Sequence, residues 1–298
     1  MSFNSVAILS PGEMGSAVGG SFVEYGFTVI TTIDGRGEPT RERASAAGIL
    51  DGGSLADVVA ATDIVLSILP PEHALAQAKA VANSMMKTGK TPPYADCNAV
   101  APETAVTIGQ IIADAGAKCI DGGIVGSPPG GSRPQPRFYV SGPGAPAMDA
   151  FDGKGIDVRK CGHEIGRGSA VKMAYAGITK GTSALHAAML IAAERLEIAD
   201  ELHEELRASQ QSIYKRMESM TPALPAVSDR YVGEMLEIAK TLAACDITAG
   251  FHNGAAETYR LLDNSPFASE RRDTVDRNRT LRQTIEVCAR TGVSKAAE

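Results

Sequence analysis

The chain has 298 residues, of which 44% are hydrophobic and 21% charged, and its formal net charge is -6 at pH 7. This length and composition predict one large or two moderate globular domains with sizeable cores. The negative charge disfavours nucleic acids and anionic membranes as partners, because both generally require a clustered positive field. No signal peptide or membrane-spanning segment is recognisable, so we expect a soluble, cytoplasmic protein.

The cysteines and histidines show no spacing typical of a cross-link or a metal site. The five cysteines lie far apart and never form a CxxC pair, and the five histidines show no HExxH spacing. We therefore expect reduced thiols and no metal dependence.

Short β-branched runs, most of them separated by helix-patterned stretches, occupy the first half of the chain. They are SVAIL (5–9), TVITTI (28–33), DIVLSIL (63–69), PYADC (93–97), AKCIDGG (117–123), FYVSG (138–142) and IDVRKC (156–161). Strands that alternate with helices indicate a parallel sheet covered on both faces. The prediction is an α/β domain of the Rossmann type, a doubly wound parallel sheet, over residues 1–165.

Strand signals disappear from about Gly166 onward. The segment GSAVKMAYAGITKGTSALHAAMLIAAERL predicts one long helix, and the later helical pattern is broken at TPALP (221–225) and around DNSP (263–266). GFHNG (250–254) also interrupts the pattern, and its His252 and Asn253 are candidates to line a cleft. We predict an all-helical second domain over residues 166–298.

The loop after the first predicted strand carries a dinucleotide-binding pattern. In SPGEMG, Gly12 and Gly15 hold the second and third positions of a GxGxxG fingerprint, while Ser10 replaces the first glycine. Gly12 lets the backbone approach a pyrophosphate, Gly15 lets the helix pack on the strand, and the helix amino terminus offers N–H groups to the phosphates. An ordinary strand-to-helix turn is the alternative. The predicted cofactor residues here are Pro11, Gly12, Glu13, Met14 and Gly15.

Cofactor choice is expected at the end of the second strand, in TTIDGRGEPTRERA. Asp34 lies about 20 residues after the glycines, where an acid reads the ribose hydroxyls and selects NAD. Arg36, with Arg41 or Arg43 behind it, is instead suited to clamp a 2'-phosphate and select NADP. The arginines also suit a solvated first helical turn. We favour NADP and leave NAD open.

Two further strand ends are expected at the cofactor cleft, because ligands of open α/β sheets lie beyond the carboxyl ends of the strands. Leu69 and Pro70, in SILPPEH, are predicted to border the adenosine side. Asn98, in DCNAVAPET, is a candidate hydrogen-bond partner for the ribose or the carboxamide. A turn or N-cap residue is the alternative interpretation of Asn98.

Five motifs along most of the chain resemble, in sequence and in order, those of the β-hydroxyacid dehydrogenase superfamily. They are SPGEMG, SILPP, DCNAVAP, DGGIVGSPPGG and GRGSAVKMAYAG. That superfamily includes 3-hydroxyisobutyrate and 6-phosphogluconate dehydrogenases, and residues 231–260 resemble a branch similar to the second of these. The resemblance implies that Lys172 is the catalytic acid/base and that the loop 121–127 holds the substrate through Val125, Gly126 and Ser127. It also implies that the helical domain closes the site and forms a homodimer interface.

Three positions depart from the pattern of that superfamily. Ala176 stands where an asparagine is usual, and Val125 stands where a serine is usual. Thr179 stands where the 6-phosphogluconate enzymes have a second acid. These departures argue against decarboxylation of a sugar acid, and they suit either a less polar substrate or one without the usual carboxylate contacts.

Helix geometry places Lys172 in a narrow polar seam. At about 100° per residue, the seam and its two shoulders comprise Lys172, Tyr175, Ala176, Thr179, Lys180, Ser183 and His186. Beside an oxidised nicotinamide, burial and the cationic ring both disfavour an ammonium, so the amine takes the hydroxyl proton as hydride leaves. A surface lysine is the alternative. Substrate contacts are predicted for Tyr175, Ala176, Thr179 and Lys180, although Tyr175 also suits packing, Lys180 solvation and His186 the core.

The sequence therefore predicts an NAD(P)-dependent dehydrogenase or reductase that interconverts a small β-hydroxy acid, or a related alcohol, with its carbonyl. An imine reductase of the same fold is one alternative, against which the presence of Lys172 counts. A non-catalytic NADP-binding sensor or scaffold is another, and the changes at Ala176 and Val125 favour it.

Overall fold

The computed structural model describes residues 3–132, 134–271 and 274–291. The chain forms two compact units, the first ending at Tyr175 and the second beginning at Ala176. The domain boundary expected after residue 165 stays a prediction. All five cysteines carry free thiols. Within the described ranges, none of the helices combines the length and apolarity that crossing a bilayer requires.

An eight-stranded sheet forms the centre of the first unit. The strands are β1 (Ser5–Leu9), β2 (Thr28–Thr31), β3 (Leu50–Asp51), β4 (Ile64–Ser67), β5 (Tyr94–Asp96), β6 (Cys119–Val125), β7 (Arg137–Ser141) and β8 (Asp157–Lys160). They lie in the order β3-β2-β1-β4-β5-β6-β7-β8, which reverses between β1 and β4 and makes a topological switch point there. The predicted doubly wound sheet is confirmed.

Two details of the sheet differ from the prediction. β7 runs antiparallel to β6, whereas the pairs from β3 through β6 are parallel. The described part of the connection 126–136 contains no helix, and a parallel return would need such a crossover. β3 was not predicted, because two residues are too few to make a hydrophobic run.

Helices cover both faces of this sheet. They are α1 (Glu13–Glu24), α2 (Glu38–Ala46), α3 (Leu55–Ala61), α4 (Ala74–Thr88) and α5 (Pro102–Asp114), with 3-10 turns at Pro71–His73 and Ala145–Phe151. Val6 and Ile8 pack into one apolar cluster, and the alternate residues Ala7 and Leu9 pack into another. Because side chains alternate between faces, a strand buried on both sides is apolar throughout.

The described residues of the second unit form helices and no strand. α6 (Arg167–Arg195) is the predicted long helix and runs from the first unit into the second; it is followed by α7 (Ala199–Ser209), α8 (Gln211–Met220), α9 (Ser228–Ala244), α10 (Gly250–Asp263) and α11 (Leu281–Arg290). Turns at Thr221–Ala223, Pro225–Val227 and Pro266–Ser269 confirm the predicted breaks. The prediction that GFHNG interrupts the helices was wrong, since it forms the first turns of α10.

Candidate active site

The loop between β1 and α1 leaves the start of the helix open. Gly12 precedes α1, and no side chain caps this end. A Cβ on Gly12 would meet no atom within 4 Å, so this face of the backbone is free for a ligand. The first N–H groups of a helix lack partners within it and favour an anion. The loop therefore fits the phosphates of a dinucleotide.

The neighbouring residues hold this loop in shape. A Cβ on Gly15 would lie 2.8 Å from the carbonyl oxygen of Ser10 and 3.3 Å from Cγ2 of Ile8, so the helix packs on the strand at backbone distance. Ser10 has φ 63°, in the left-handed region that glycine adopts more readily. That conformation explains why the fingerprint usually begins with glycine.

The remaining side chains of the loop between β1 and α1 differ in how far they are buried. Pro11 is buried and Glu13 is exposed. Met14 is half-buried and packs against the apolar core beside the sheet. Because Met14 is committed to the core, its contribution to a cofactor site is expected from its backbone.

The loop after β2 lies beside the carboxyl end of β1, because the two strands are parallel neighbours. Asp34 is exposed in it and Arg36 is half-buried. The Nε of Arg41 donates a hydrogen bond of 2.9 Å to the carbonyl oxygen of Arg36. Arg41 is thus held against the loop that carries Arg36.

Asn98 is buried at the end of β5 and connects it to β4. Its Oδ1 accepts a hydrogen bond of 2.7 Å from the backbone N–H of Leu69. Its Nδ2 donates to Oγ of Ser67 at 3.1 Å and to Oδ2 of Asp96 at 3.0 Å. Leu69 is half-buried and Pro70 exposed. The amide of Asn98 therefore fixes the backbone just beyond the carboxyl ends of β4 and β5.

Asp96, which supports Asn98, was not predicted as a site residue. Its carboxylate also accepts the backbone N–H of Asn98 at 3.1 Å. Burial raises the pKa of Asp96 to about 7; the hydrogen bonds from Asn98 oppose this shift, and the nearby Asp121 adds to it. The only sequence signal is an acid at the end of an apolar strand.

The first turns of α6 lie against β6 at backbone distance. A Cβ on Gly123 would collide with the carbonyl oxygen of Gly168 and lie 2.7 Å from Cβ of Lys172. A Cβ on Gly168 would collide with the carbonyl oxygen of Tyr139. The two glycines therefore permit the contact that places Lys172, which is half-buried, beside Gly123.

Of the predicted substrate loop 121–127, residues 121–125 belong to strand β6, and Gly126 and Ser127 follow the strand. Val125 ends β6, pairs with Arg137 and is only 2% exposed. Gly126, with φ 123°, and Ser127 follow and are exposed. The structure therefore brings the backbone around Lys172 close to the start of this loop, with Val125 in the core.

The other predicted residues of α6 have varied surroundings. Tyr175 is 47% exposed, whereas Ala176 is completely buried. Thr179 is half-buried, and its carbonyl oxygen accepts the hydroxyl of Ser183 at 3.0 Å. His186 is half-buried, and burial lowers its pKa, with a smaller contribution from Arg216.

Lys180 is engaged inside the second unit. Its ammonium pairs with the carboxylate of Glu234, which is buried, and lies 4.1 Å from the centre of the Tyr231 ring. A substrate anion would have to compete with Glu234 for this charge. His252, in the same unit, bonds through Nε2 to the carbonyl oxygen of Gly177 at 3.2 Å.

Two family models match the chain. Residues 5–149 match the NAD binding domain of 6-phosphogluconate dehydrogenase. Residues 193–262 match a domain of unknown function, DUF1932. The first match covers strands β1 to β7 and the loop at Gly12, so the first unit contains an NAD-binding domain.

Similar proteins extend the likeness beyond the first unit. An uncharacterised 28.5 kDa protein of Methanothermus fervidus is 28% identical over 207 residues, 69% of this chain and 77% of its own. The solved structure of a conserved protein of unknown function, MTH1747, described as similar to 3-hydroxyacid dehydrogenases, is 25% identical with a TM-score of 0.63. That likeness covers 87% of this chain and 96% of the other.

The fold is also shared with a named dehydrogenase. The 3-hydroxyisobutyrate dehydrogenase of Mycobacterium tuberculosis, solved with L-serine, is 18% identical with a TM-score of 0.62. The likeness covers 96% of this chain and 98% of that one. The NAD-binding domain and the likeness to MTH1747 support the assignment of the chain to the β-hydroxyacid dehydrogenase superfamily, and the 18% identical enzyme shows the shared fold.

Proposed function

We propose that this protein is an oxidoreductase that uses a nicotinamide cofactor to interconvert a small β-hydroxy acid, or a related alcohol, with its carbonyl. Lys172 is the general acid/base in this proposal. The observation that carries it is the contact of Lys172 with Gly123, near the carboxyl end of β6. The contact supports the proposal because it brings Cβ of Lys172, a half-buried residue, next to the strand whose carboxyl end borders the ligand site in this fold.

The order of the strands supports a dinucleotide at that edge. β2, β1, β4, β5 and β6 are parallel neighbours, so their carboxyl ends lie at the same edge. Four inter-strand steps separate β2 from β6, about 19 Å at a spacing of about 4.8 Å. A ligand that reaches from the loop after β2 to Lys172 must be extended, as a dinucleotide is.

Each group of residues has one task in the proposed reaction. When bound, the nicotinamide ring donates or accepts the hydride. The open helix start at Gly12 holds the phosphates, and Asn98 holds the backbone of Leu69 beyond the end of β4. Lys172 Nζ takes the hydroxyl proton during oxidation and returns it during reduction, which accelerates such reactions by about 10² to 10⁴.

We assign NADP as the preferred cofactor on the chemistry of the loop after β2. Arg36 lies there, and Arg41 is held to its carbonyl oxygen. One guanidinium group in the loop and a second in the first turns of α2 suit a 2'-phosphate, which accepts bidentate hydrogen bonds. Asp34 is exposed in the same loop and is the residue that would favour NAD.

The proposed substrate class follows from the groups that residues 125–127, at the end of β6 and just after it, offer to a ligand. Val125 is buried, so the backbone at Gly126 and the hydroxyl of Ser127 are the groups open to a ligand. Ala176 has no polar atom in its side chain, and Lys180 already pairs with Glu234. These features favour a small substrate with fewer anionic groups than a phosphorylated sugar acid.

We further propose a homodimer that uses the second unit. Apolar side chains on α6 and α10 face solvent there, with Ile178 73%, Leu185 60%, Met189 56% and Phe251 76% exposed. A contiguous apolar surface of this kind is typical of a protein interface. The spacing of the three α6 residues puts them along one side of the helix.

The decisive experiment combines cofactor binding with turnover. NADPH and NADH are titrated by fluorescence, and β-hydroxy acids, sugar acids, aldehydes and cyclic imines are then tested for absorbance change at the nicotinamide band. Lys172→Ala is expected to lower turnover about 10² to 10⁴-fold while cofactor binding persists. Lys79→Ala, a change at an exposed lysine of α4, is the matched control and should leave the rate unchanged.

The same panel separates the alternatives. Turnover of cyclic imines alone, surviving in Lys172→Ala, would assign C=N reduction in place of the proposed reaction. Cofactor binding without turnover across the panel would favour a sensor or scaffold. Undiminished oxidation of a hydroxy acid by Lys172→Ala would refute the acid/base role.

A further inference from the structure

We infer that Asp121 is the residue that positions Lys172, by capping the amino terminus of α6 from strand β6. This inference rests on the proposed function and assigns a role to a group that the reaction itself does not consume. Asp121 is 1% exposed, and its place within β6 puts it two residues before Gly123.

The carboxylate of Asp121 collects hydrogen bonds from the start of α6. Oδ2 accepts the backbone N–H of Gly166 at 2.9 Å. The backbone N–H of Ser169 is shared between the two carboxylate oxygens at 3.1 and 3.2 Å, and the Ser169 hydroxyl donates to Oδ1. A single side chain thus takes two backbone donors of a helix start that would otherwise lack partners.

Ser141, on β7, extends the cap. Its hydroxyl donates to Oδ2 of Asp121 at 2.9 Å and accepts the backbone N–H of Gly168 at 3.2 Å. The backbone donors of Gly166, Gly168 and Ser169 are therefore all satisfied by two side chains from the sheet. A negative charge at this end of α6 also complements the helix dipole.

The cap acts on Lys172 through the helix backbone. Ser169 and Lys172 are three residues apart, so they lie on successive turns of one face. The backbones at Gly123 and Gly168 are so close to their neighbours that an added Cβ would collide, so the helix start cannot shift further toward the sheet. Asp121 prevents the opposite movement, since its hydrogen bonds pull the same turn onto β6.

The charge of Asp121 matters as well as its shape. In Asp121→Asn, the amide would turn N–H donors toward the N–H of Gly166 or of Ser169, which are themselves donors. The isosteric change therefore removes part of the cap and sets two donors against each other, at a site too buried for water to compensate.

Hydrogen exchange of the full-length protein tests the cap without any assay of activity. Amides of residues 166–172 are expected to exchange at least tenfold faster in Asp121→Asn than in wild type, while those of β1 and β4 are unchanged. Val81→Ala, a cavity in the α4 core, is the control for general destabilisation. If the amides of residues 166–172 exchanged in Asp121→Asn at the wild-type rate, the inference would be overturned.

Ser169→Ala provides a second variant if Asp121→Asn does not fold. It removes the hydroxyl bond and leaves the carboxylate with its backbone donors. The same amides should then exchange several-fold faster than in wild type, and an unchanged rate would contradict the cap.

A double-mutant cycle tests whether Asp121 acts through Lys172. Asp121→Asn should lower kcat at least tenfold, with the Kd for NADPH within twofold of wild type, and it should cost nothing further in a Lys172→Ala background. If the fold-losses of kcat in the two single variants multiplied in the double variant, the positioning role would be overturned. If Lys172→Ala kept the wild-type kcat, the proposed function would be refuted. The hydrogen-exchange result on the cap would be unaffected.

Discussion

Asp96 and Asp121 occupy paired positions on the neighbouring parallel strands β5 and β6, and both carboxyl groups are buried. Their partners differ. Asp96 accepts the backbone and amide N–H groups of Asn98, whereas Asp121 accepts the donors at the start of α6. Two acids side by side thus support two different parts of the candidate site.

The first prediction concerns stability against pH. Burial raises the pKa of Asp96 to about 7 from 3.8. Because the folded state then holds the proton more tightly than the unfolded state, Asp96 favours folding at low pH. Its contribution is complete below about pH 4 and is lost as pH rises to about 7, with a limiting slope of about 1.4 kcal/mol per pH unit.

Urea unfolding between pH 5 and pH 8 measures this slope. The free energy of unfolding of Asp96→Asn minus that of wild type should rise with pH up to about 7 and then level off. Asp63→Asn is the control, because hydrogen bonds from Asn4 and Ser5 lower the pKa of Asp63 and place its titration below this window. A pH-independent difference for Asp96→Asn would contradict the assignment.

The second prediction concerns cofactor choice. Arg36→Ala and Arg41→Ala should each weaken NADPH binding about tenfold to a hundredfold, since a charge-assisted hydrogen bond is worth about 1.5 to 3 kcal/mol. NADH binding should change little. Arg41→Lys should not restore affinity, because lysine lacks the Nε that bonds the carbonyl oxygen of Arg36.

Fluorescence titration with both cofactors provides the measurement for this loop. Lys79→Ala removes one positive charge from α4 in the same unit and controls for net charge. Equal losses of NADPH and NADH affinity in Arg36→Ala would count against a phosphate clamp.

The third prediction concerns the contact of α6 with β6. Gly123→Ala should lower the free energy of unfolding by about 1 to 3 kcal/mol, because the added Cβ meets backbone atoms that cannot rotate away. It should also lower turnover by displacing Lys172. Gly254→Ala should instead raise the free energy of unfolding. Its Cβ would meet open space within α10, and alanine is the better helix former.

Chemical unfolding and steady-state kinetics of the two glycine variants give the comparison. If Gly123→Ala were as stable and as active as wild type, the close contact of α6 with β6 would contribute neither to stability nor to the position of Lys172.

The fourth prediction concerns assembly. Sedimentation should find a dimer for the wild type and a monomer for Leu185→Asp/Met189→Asp, with helical circular dichroism retained. Met86→Asp is the matched control, because Met86 is a comparably exposed methionine on α4 of the first unit. A monomeric wild type at micromolar concentration would refute the dimer.

Much of the fold can be predicted because its signals are local. A run such as SVAIL is apolar throughout since β1 is covered on both faces, and the glycines of SPGEMG mark a strand-to-helix turn at the place where one exists. The breaks at TPALP and DNSP are likewise marked by proline. Each of these signals resides in neighbouring residues.

The support of the site is not local and could not be predicted. Asn98 stays a candidate for a cofactor contact, and the sequence does not reveal that its amide partners include Leu69 and Ser67, 29 and 31 residues away. The partners of Asp121 at the start of α6 lie 45 and 48 residues away. No spacing rule links such residues, because the distance between them is set by the packing of the sheet.

The cap of α6 has a consequence for the order of folding. A helix can be capped by the side chain of the residue just before it, as Ser54 caps α3 and Thr280 caps α11. The residue just before α6 is Gly166, which has φ 104° and no side-chain oxygen to accept a backbone N–H. Its cap arrives only when β6 and β7 have paired and brought Asp121 and Ser141 together. During refolding, the segment with Lys172 is therefore expected to reach its native state late, so that the appearance of activity trails the collapse of the sheet.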